Sequence, residues 1–415
     1  MSGRGTIAAH APPGRVGLAA GRGGPTRRRL LALLRREPGA ALPRIAATLG
    51  LTRQGVVAQL DQLVASGLVV EMPAEAARRG RPARRFAVDP AAGCSIGLAL
   101  EHDLAGAACI DLDGRVRAET ALPLASHTLD EAVAALMAAW HEVRPATGQA
   151  RLIGAGLGVM GPLDREAGRL GTPPHRPGWA NAPIARLMAE RLGVPVYLDN
   201  SATAAALGES WSGAARRVGT FLYLFIGYGL GGAIVEDGRL VRGAHGNACE
   251  IGHVTVDPAG ARCGCGARGC LETKVSLMAL RAARPGLDIA GAAPADVAGW
   301  LDDAAASLAA GLRNAAMMAD PAVILIGGRL PPVLLEALIA RTRAAAAGGP
   351  GLPPILAGQA GASALARGAA SLPLHDAFLP LPQDTGLVRH EQQKKPGQPD
   401  TETGSKHSHM EEERE

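Results

Sequence analysis

His253, nine intervening residues, Cys263, one, Cys265, four, and Cys270 form the feature that most limits what this chain can fold into. They supply one imidazole and three potential thiolates. Zinc takes such a set in tetrahedral geometry, and four protein ligands leave no open position, which marks a structural site. Packing is a poor rival account, because three cysteines within eight positions, set among glycines, offer little apolar volume. Disulfides are equally disfavoured. Six cysteines suit a small secreted scaffold, but this chain has 415 residues, and residues 1–24 lack the apolar core of a secretory signal. The expectation is a structural Zn²⁺ held by His253, Cys263, Cys265 and Cys270. The other thiols, Cys94, Cys109 and Cys249, read as buried small residues.

A chain of this length has room for two or three domains, and charge divides it. Residues 1–90 carry 15 arginines, no lysine and five acidic residues, a net of +10, whereas the whole chain carries +5. Residues 91–415 therefore sum to −5. A basic head on an acidic remainder is the footprint of a DNA-binding module on a soluble body. Residues 1–24 read as a disordered arm. No stretch of about 18 uncharged apolar residues occurs, so no membrane contact and a cytoplasmic place are expected.

Residues 25–90 read as a winged helix-turn-helix. Leu30, Leu31, Leu33 and Leu34 set a first helix over 27–36, and Leu42, Ile45, Ala46 and Leu49 a second over 41–49. Gly50-Leu51-Thr52 is a short turn, with Thr52 placed to cap a third helix running to residue 65. Val56, Val57, Leu60 and Leu63 face inward there, which leaves Arg53, Gln54 and Gln59 outside. Arg pairs bidentately with guanine and Gln with adenine, so such a helix suits the major groove. A strand start at 67–71 and the run Arg78 to Arg85 around Gly80-Arg81-Pro82 predict a two-stranded wing along the phosphate backbone or in the minor groove. Thr52, Arg53, Gln54, Gln59, Arg79, Arg81 and Arg84 are the expected contacts to operator DNA.

From about residue 91 strands alternate with helices, the pattern of an α/β body with two lobes around a cleft. Strands are expected at 96–100, 107–112, 152–159, 194–198, 222–226, 233–235 and 323–326, with an Asp113-Gly114 hairpin turn. Helices are expected at 130–143, through 202–211 and at 361–372. A glycine-rich loop, Gly227-Tyr228-Gly229-Leu230-Gly231-Gly232, separates two of the strands. Residues 382–415 are polar and charged and read as a disordered tail, in which His407 and His409 are incidental.

Gly243-Ala244-His245-Gly246-Asn247-Ala248-Cys249-Glu250-Ile251-Gly252-His253, followed by Cys263-Gly264-Cys265-Gly266-Ala267-Arg268-Gly269-Cys270-Leu271-Glu272, resembles the signature of the ROK family of repressors, open reading frames and kinases. The likeness covers about residues 25–380. It implies an actin-like ATPase (sugar-kinase-like) fold for residues 91–381 and the same four zinc ligands. It also implies sugar-binding roles for Asn200, Glu250, His253 and Glu272. His253 can serve twice, one ring nitrogen on the metal and the other toward a hydroxyl.

Two departures from the family's kinases stand out. The catalytic Asp that follows the Asn is replaced by Ser201, whose hydroxyl cannot act as a carboxylate base. The first phosphate loop aligns with Ala99-Leu100-Glu101-His102-Asp103, so Ala99 stands where an Asp would help hold Mg²⁺, and Glu101 and Asp103 would repel phosphates. The expected protein is thus a transcriptional regulator, a repressor, with no catalytic residues. It would bind operator DNA as a homodimer or homotetramer and answer to a sugar effector. The rivals are an active sugar kinase with an appended DNA head, and a regulator that senses another protein.

Overall fold

The computed structural model describes residues 24–73, 83–124, 128–172, 177–347, 351–378 and 389–390. The expected arm, the wing tip with Arg79 and Arg81, and nearly all of the tail lie outside the described residues.

The head holds three helices, α1 (Pro25–Arg36), α2 (Leu42–Leu49) and α3 (Arg53–Ala65), and three strands, β1 (Ala40–Ala41), β2 (Val69–Met72) and β3 (Arg85–Val88). Pro25 opens α1, where its missing N–H costs nothing. Gly50 ends α2 in the left-handed region, at φ 64°, and turns the chain into α3. The Thr52 hydroxyl accepts from Gly55 N at 3.2 Å and so caps α3 as the sequence predicts. The short β1 was missed by sequence; it pairs with β3, which gives the order β1-β3-β2.

The first lobe contains β4 (Gly93–Leu100), β5 (Leu104–Asp111), β6 (Val116–Pro123), α4 (Leu129–Val143), β7 (Arg151–Val159), β8 (Leu163–Asp164), β9 (Arg169–Leu170), α5 (Ile184–Leu192), β10 (Val196–Asn200) and α6 (Ser201–Ser212). The second contains β11 (Phe221–Ile226), β12 (Leu230–Glu236), β13 (Arg239–Leu240), α7 (Leu277–Ala283), α8 (Ala298–Ala319), β14 (Val323–Gly328), α9 (Pro332–Ala346) and β15 (Ile355–Ala357). Helix α10 (Ala364–Phe378) then returns to the first lobe. It runs six residues past the expected end, through Pro373. In the tail, β16 (Arg389–His390) pairs antiparallel with Val196 and Tyr197, an ordered pair within a segment expected to be disordered.

The sheets repeat one plan. In the first, β4, β5 and β6 form an antiparallel meander that continues in parallel through β7 and β10. In the second, β11, β12 and β13 form the meander and β14 and β15 the parallel extension. Helices α4 and α5 cover one outer face and α8 and α9 the other, while α6 and α10 fill the layer between the sheets. Two glycines set that layer: a Cβ at Gly97 or Gly156 would lie about 2 Å from the backbone of α10. The helix therefore rests directly on the strands. The expected glycine-rich loop is shorter than its sequence suggests, because Leu230-Gly231-Gly232 belongs to β12.

Candidate functional site

Three sites are built on this frame. On the head, Arg53 and Gln54 stand exposed at the start of α3 and Gln59 is half-buried one turn further on, while Val56, Leu60 and Leu63 are buried. The helix thus offers an outward polar start on a fixed inner face. Arg84, at the base of the wing, is paired within the head. Its guanidinium is held by Glu71 at 3.0 Å and by Asp61 at 3.2 Å, and it lies over the Phe86 ring. It ties the wing to α3 while its side chain stays 40% exposed.

The head is not tethered loosely. Its core runs into the body through Ile110, Leu112, Trp211, Leu374 and Phe378. Arg28 donates to the carbonyl of Asp376 at 2.6 Å, and the Asp376 carboxylate accepts from Tyr197 Oη at 2.8 Å. Arg35 donates to Trp211 O at 2.8 Å with its guanidinium 4.0 Å above the indole. Burial, aided by Arg216 and Arg36, lowers the Arg35 pKa to about 10. Beside it His375 is fully enclosed, one nitrogen 3.0 Å from Leu207 O, and burial pushes its pKa down to about 3. Sequence reasoning missed this seat, since arginines on a short amphipathic helix read as solvent-facing.

The metal cluster forms as predicted. His253, Cys263, Cys265 and Cys270 place their ligand atoms within 4.8 Å of one another. Tetrahedral zinc, with Zn–S about 2.3 Å and Zn–N about 2.0–2.1 Å, requires S···S edges of about 3.8 Å and S···N edges of about 3.6 Å. Cys265 Sγ lies 3.7 Å from Cys270 Sγ, and Cys263 Sγ lies 3.5 Å from His253 Nδ1. The donor set and its spacing fit the ion. Burial pushes the Cys263 thiol up to about 12, so a bound dication is what would make it a thiolate. Cys94 and Cys109 are fully buried, as expected, and Cys249 is half-buried.

The third site is the cleft between the lobes, lined by Asp199, Asn200, Thr203, Arg165, Asn247 and Glu250 among others. Asn200 ends β10 and caps α6, its Oδ1 accepting from Ala202 N at 2.9 Å. Ser201 begins that helix and is buried. Asp199, which sequence reasoning left without a role, is buried and gripped bidentately by Arg242 at 2.9 and 2.7 Å. That pair supports the Asn200 turn from beneath. Burial, reinforced by Glu272, raises the Glu250 carboxyl against the pull of His253. His253 turns Nδ1 toward the thiols, which leaves Nε2 for another partner. Glu272 is held on the metal loop: its Oε2 accepts from Leu230 N at 3.1 Å, and Oε1 lies 3.6 Å from Cys263 Sγ. Asn200 and Glu250 thus meet at one cleft, and His253 and Glu272 share the metal loop that carries Glu250. Among the described residues no helix is long and apolar enough to cross a membrane.

Comparison with known proteins bears on all three sites. A model described as the ROK family matches residues 96–375, and one described as a helix-turn-helix domain matches residues 24–71. The xylose repressor of Caldicellulosiruptor bescii is 41% identical over 129 residues, 31% of this chain and 32% of that one. The chain spans between about a third and a little over half of the length of the first curated relatives it matches. The ROK hexokinase of Thermus thermophilus is 33% identical with a TM-score of 0.54, over 67% of this chain and 96% of that one. A ROK family transcriptional regulator described as a homologue of the E. coli MLC protein superposes with a TM-score of 0.69 over 85% of this chain and 96% of that one. At 24% identity that last likeness bears on the fold alone.

Proposed function

The chain belongs to the ROK family, and from that premise we propose that it is a DNA-binding transcriptional regulator, a repressor, whose sugar-kinase-like body senses a sugar without phosphorylating it. One observation carries the reading. Helix α6 has the cleft residues Asn200 and Thr203 at one end and Trp211, under Arg35 of the head, at the other. Its 12 residues span about 18 Å as a single rigid element. An effector that binds one lobe arrangement better than another would shift the seat of the head with it, and operator affinity would change by that differential.

In this reading Zn²⁺ sits between His253, Cys263, Cys265 and Cys270 and pins the loop that carries Glu250 and Glu272. Asn200, Glu250, His253 Nε2 and Glu272 present donors and acceptors to sugar hydroxyls. Thr52, Arg53, Gln54 and Gln59 enter the major groove, with Arg79, Arg81 and Arg84 on the wing side. The site of action is the cytoplasm, and the assembly is a homodimer or homotetramer on a partly palindromic operator. Xylose is the first sugar to test, given the repressor of that name among the relatives.

A kinase with a DNA head is the second reading, favoured by the hexokinase likeness over the body. Ser201 and Ala99 argue against it, since phosphoryl transfer needs a base and metal-held phosphates. Incubation of the full chain with ATP, Mg²⁺ and a panel of pentoses and hexoses separates the two. No turnover is expected; robust phosphorylation of any sugar would overturn the proposal.

A further inference from the structure

The turn from β4 to β5 sets Glu101, His102 and Asp103 at the edge of the first lobe, and each of them meets the second lobe. Arg329, which follows β14, reaches across the cleft and places Nη1 on Asp103 Oδ1 and 3.5 Å from Glu101 Oε2. Arg281 of α7 donates Nη2 to Asp103 Oδ2 at 2.8 Å. His102 stacks on Tyr228 with ring centroids 3.7 Å apart and planes 16° from parallel. The second-lobe side is itself one unit. Leu277 N and Met278 N at the start of α7 donate to Gly227 O and Tyr228 O at 3.0 and 3.1 Å, and Arg329 N donates to Ile226 O at 2.7 Å. One hairpin tip is thereby gripped from three elements of the opposite lobe.

The grip is driest on the Glu101 side and opens to solvent at Asp103, 28% exposed, and Arg281, 46% exposed. Glu101 is 2% exposed and Arg329 17%. An ion pair out of water is costly to break, since removing one partner leaves the other charge buried alone. A nucleotide polyphosphate at this tip would face both carboxylates. Drawing Arg281 and Arg329 onto itself would strand Glu101 and Asp103 without partners.

We propose that this cluster is an interlobe latch: Arg281 and Arg329 are specificity-determining residues that close the nucleotide side of the cleft and hold the lobes in one arrangement, which leaves the effector as the cleft's only small-molecule ligand. The inference rests on the reading that the body does not phosphorylate its sugar, and it adds what has replaced the nucleotide. It also accounts for Glu101 and Asp103, whose charges have no use in phosphate binding.

The test is hydrogen–deuterium exchange on the full chain, with peptides covering 101–104 and 227–229 as reporters. Arg329→Gln and Asp103→Asn should each speed exchange in both segments by about tenfold or more, with the α2–α3 peptides unchanged. The double variant should exceed the worse single variant by little, because the two residues share one interaction. ATP with Mg²⁺ should neither bind the wild type by calorimetry nor protect the hairpin. Unchanged exchange in both single variants, or fully additive effects, would overturn the latch, and so would nucleotide protection of 101–104. If Arg329→Gln fails to fold, Arg281→Gln at a half-exposed position carries the same test, and unchanged exchange there overturns the proposal equally. Sugar phosphorylation by the wild type would instead defeat the functional reading, so the two failures are told apart.

Discussion

Helices α6 and α10 touch along their length through glycine, and Gly368→Ala tests how tightly that layer is set. A Cβ at 368 would stand 2.3 Å from Ala204 O, 2.6 Å from Ala204 C and 2.7 Å from Ala205 Cα. All three are backbone atoms of α6, so no side chain can rotate away. Ordinary contact is about 3.5 Å, so the helices must part by about 1 Å, and such a gap forfeits a quarter to a half of the dispersion well at each neighbouring contact. Overpacking of this kind costs about 1–3 kcal/mol or more, and the helix propensity gained by Ala, about 1 kcal/mol, offsets only part of it. A net loss of about 1–2 kcal/mol corresponds to a fall in Tm of about 2–8 °C for a body of this size. Gly299→Ala is the control. It lies in α8 with nothing within 4 Å of the added carbon, so the same substitution should raise stability, by up to about 1 kcal/mol. Thermal unfolding followed by far-ultraviolet circular dichroism reads both. If Gly368→Ala melts at or above the wild-type temperature, or if both variants shift in the same direction, the close packing of α6 on α10 is not what the geometry implies.

Three further outcomes follow from the sites. Cys263→Ser should lower zinc content, measured by elemental analysis, from about one per chain, and should lower the Tm; full zinc occupancy in that variant would exclude the four-ligand site. Arg53→Ala and Gln54→Ala should each weaken binding to a selected operator by about 1–3 kcal/mol, roughly 5- to 150-fold, with the Tm unchanged; equal affinity in anisotropy titrations would remove α3 from the groove. His375 is held neutral by burial, with its pKa near 3 in the fold. Below the unfolded value of about 6.5 only the unfolded chain takes the proton, so stability is full above that pH and falls by about 1.4 kcal/mol per unit as pH drops toward 3. His375→Gln should flatten that part of a denaturation series taken from pH 7 to pH 4; an unchanged slope would show that His375 is not its source.

What the sequence made legible and what it hid follow from the range of the interactions. Thr52 capping α3, the Gly50 turn and the Asp113-Gly114 hairpin are local, and each stands where turn and cap chemistry put it. The metal loop is almost as local, because His253 and Cys270 are close in sequence and their residue types allow little else. Strand positions were readable from apolar runs, but the return of α10 to the first sheet was not, since nothing in its apolar face says which sheet it meets. Charged residues were the least legible. Arg28 and Arg35 are buried because Asp376 and Trp211, more than 170 positions away, receive them. Glu101 and Asp103 read as unfavourable for phosphate, but their partners Arg281 and Arg329 come from the far lobe and gave no sign in the sequence. Arg84 has the composition of a DNA contact, but its pairing with Asp61 and Glu71 across the turn of the head could not be read from the sequence.

In the proposed function a sugar, and not its phosphorylation, changes how this protein holds DNA. Fluorescence anisotropy of a labelled operator fragment with the full chain, titrated with xylose and then with other pentoses and hexoses, tests it most directly. The account predicts that one sugar shifts the operator Kd about 5- to 150-fold, that ATP and Mg²⁺ do not alter the shift, and that Glu250→Ala abolishes it. An operator affinity indifferent to every sugar, or a shift that requires ATP, would contradict it.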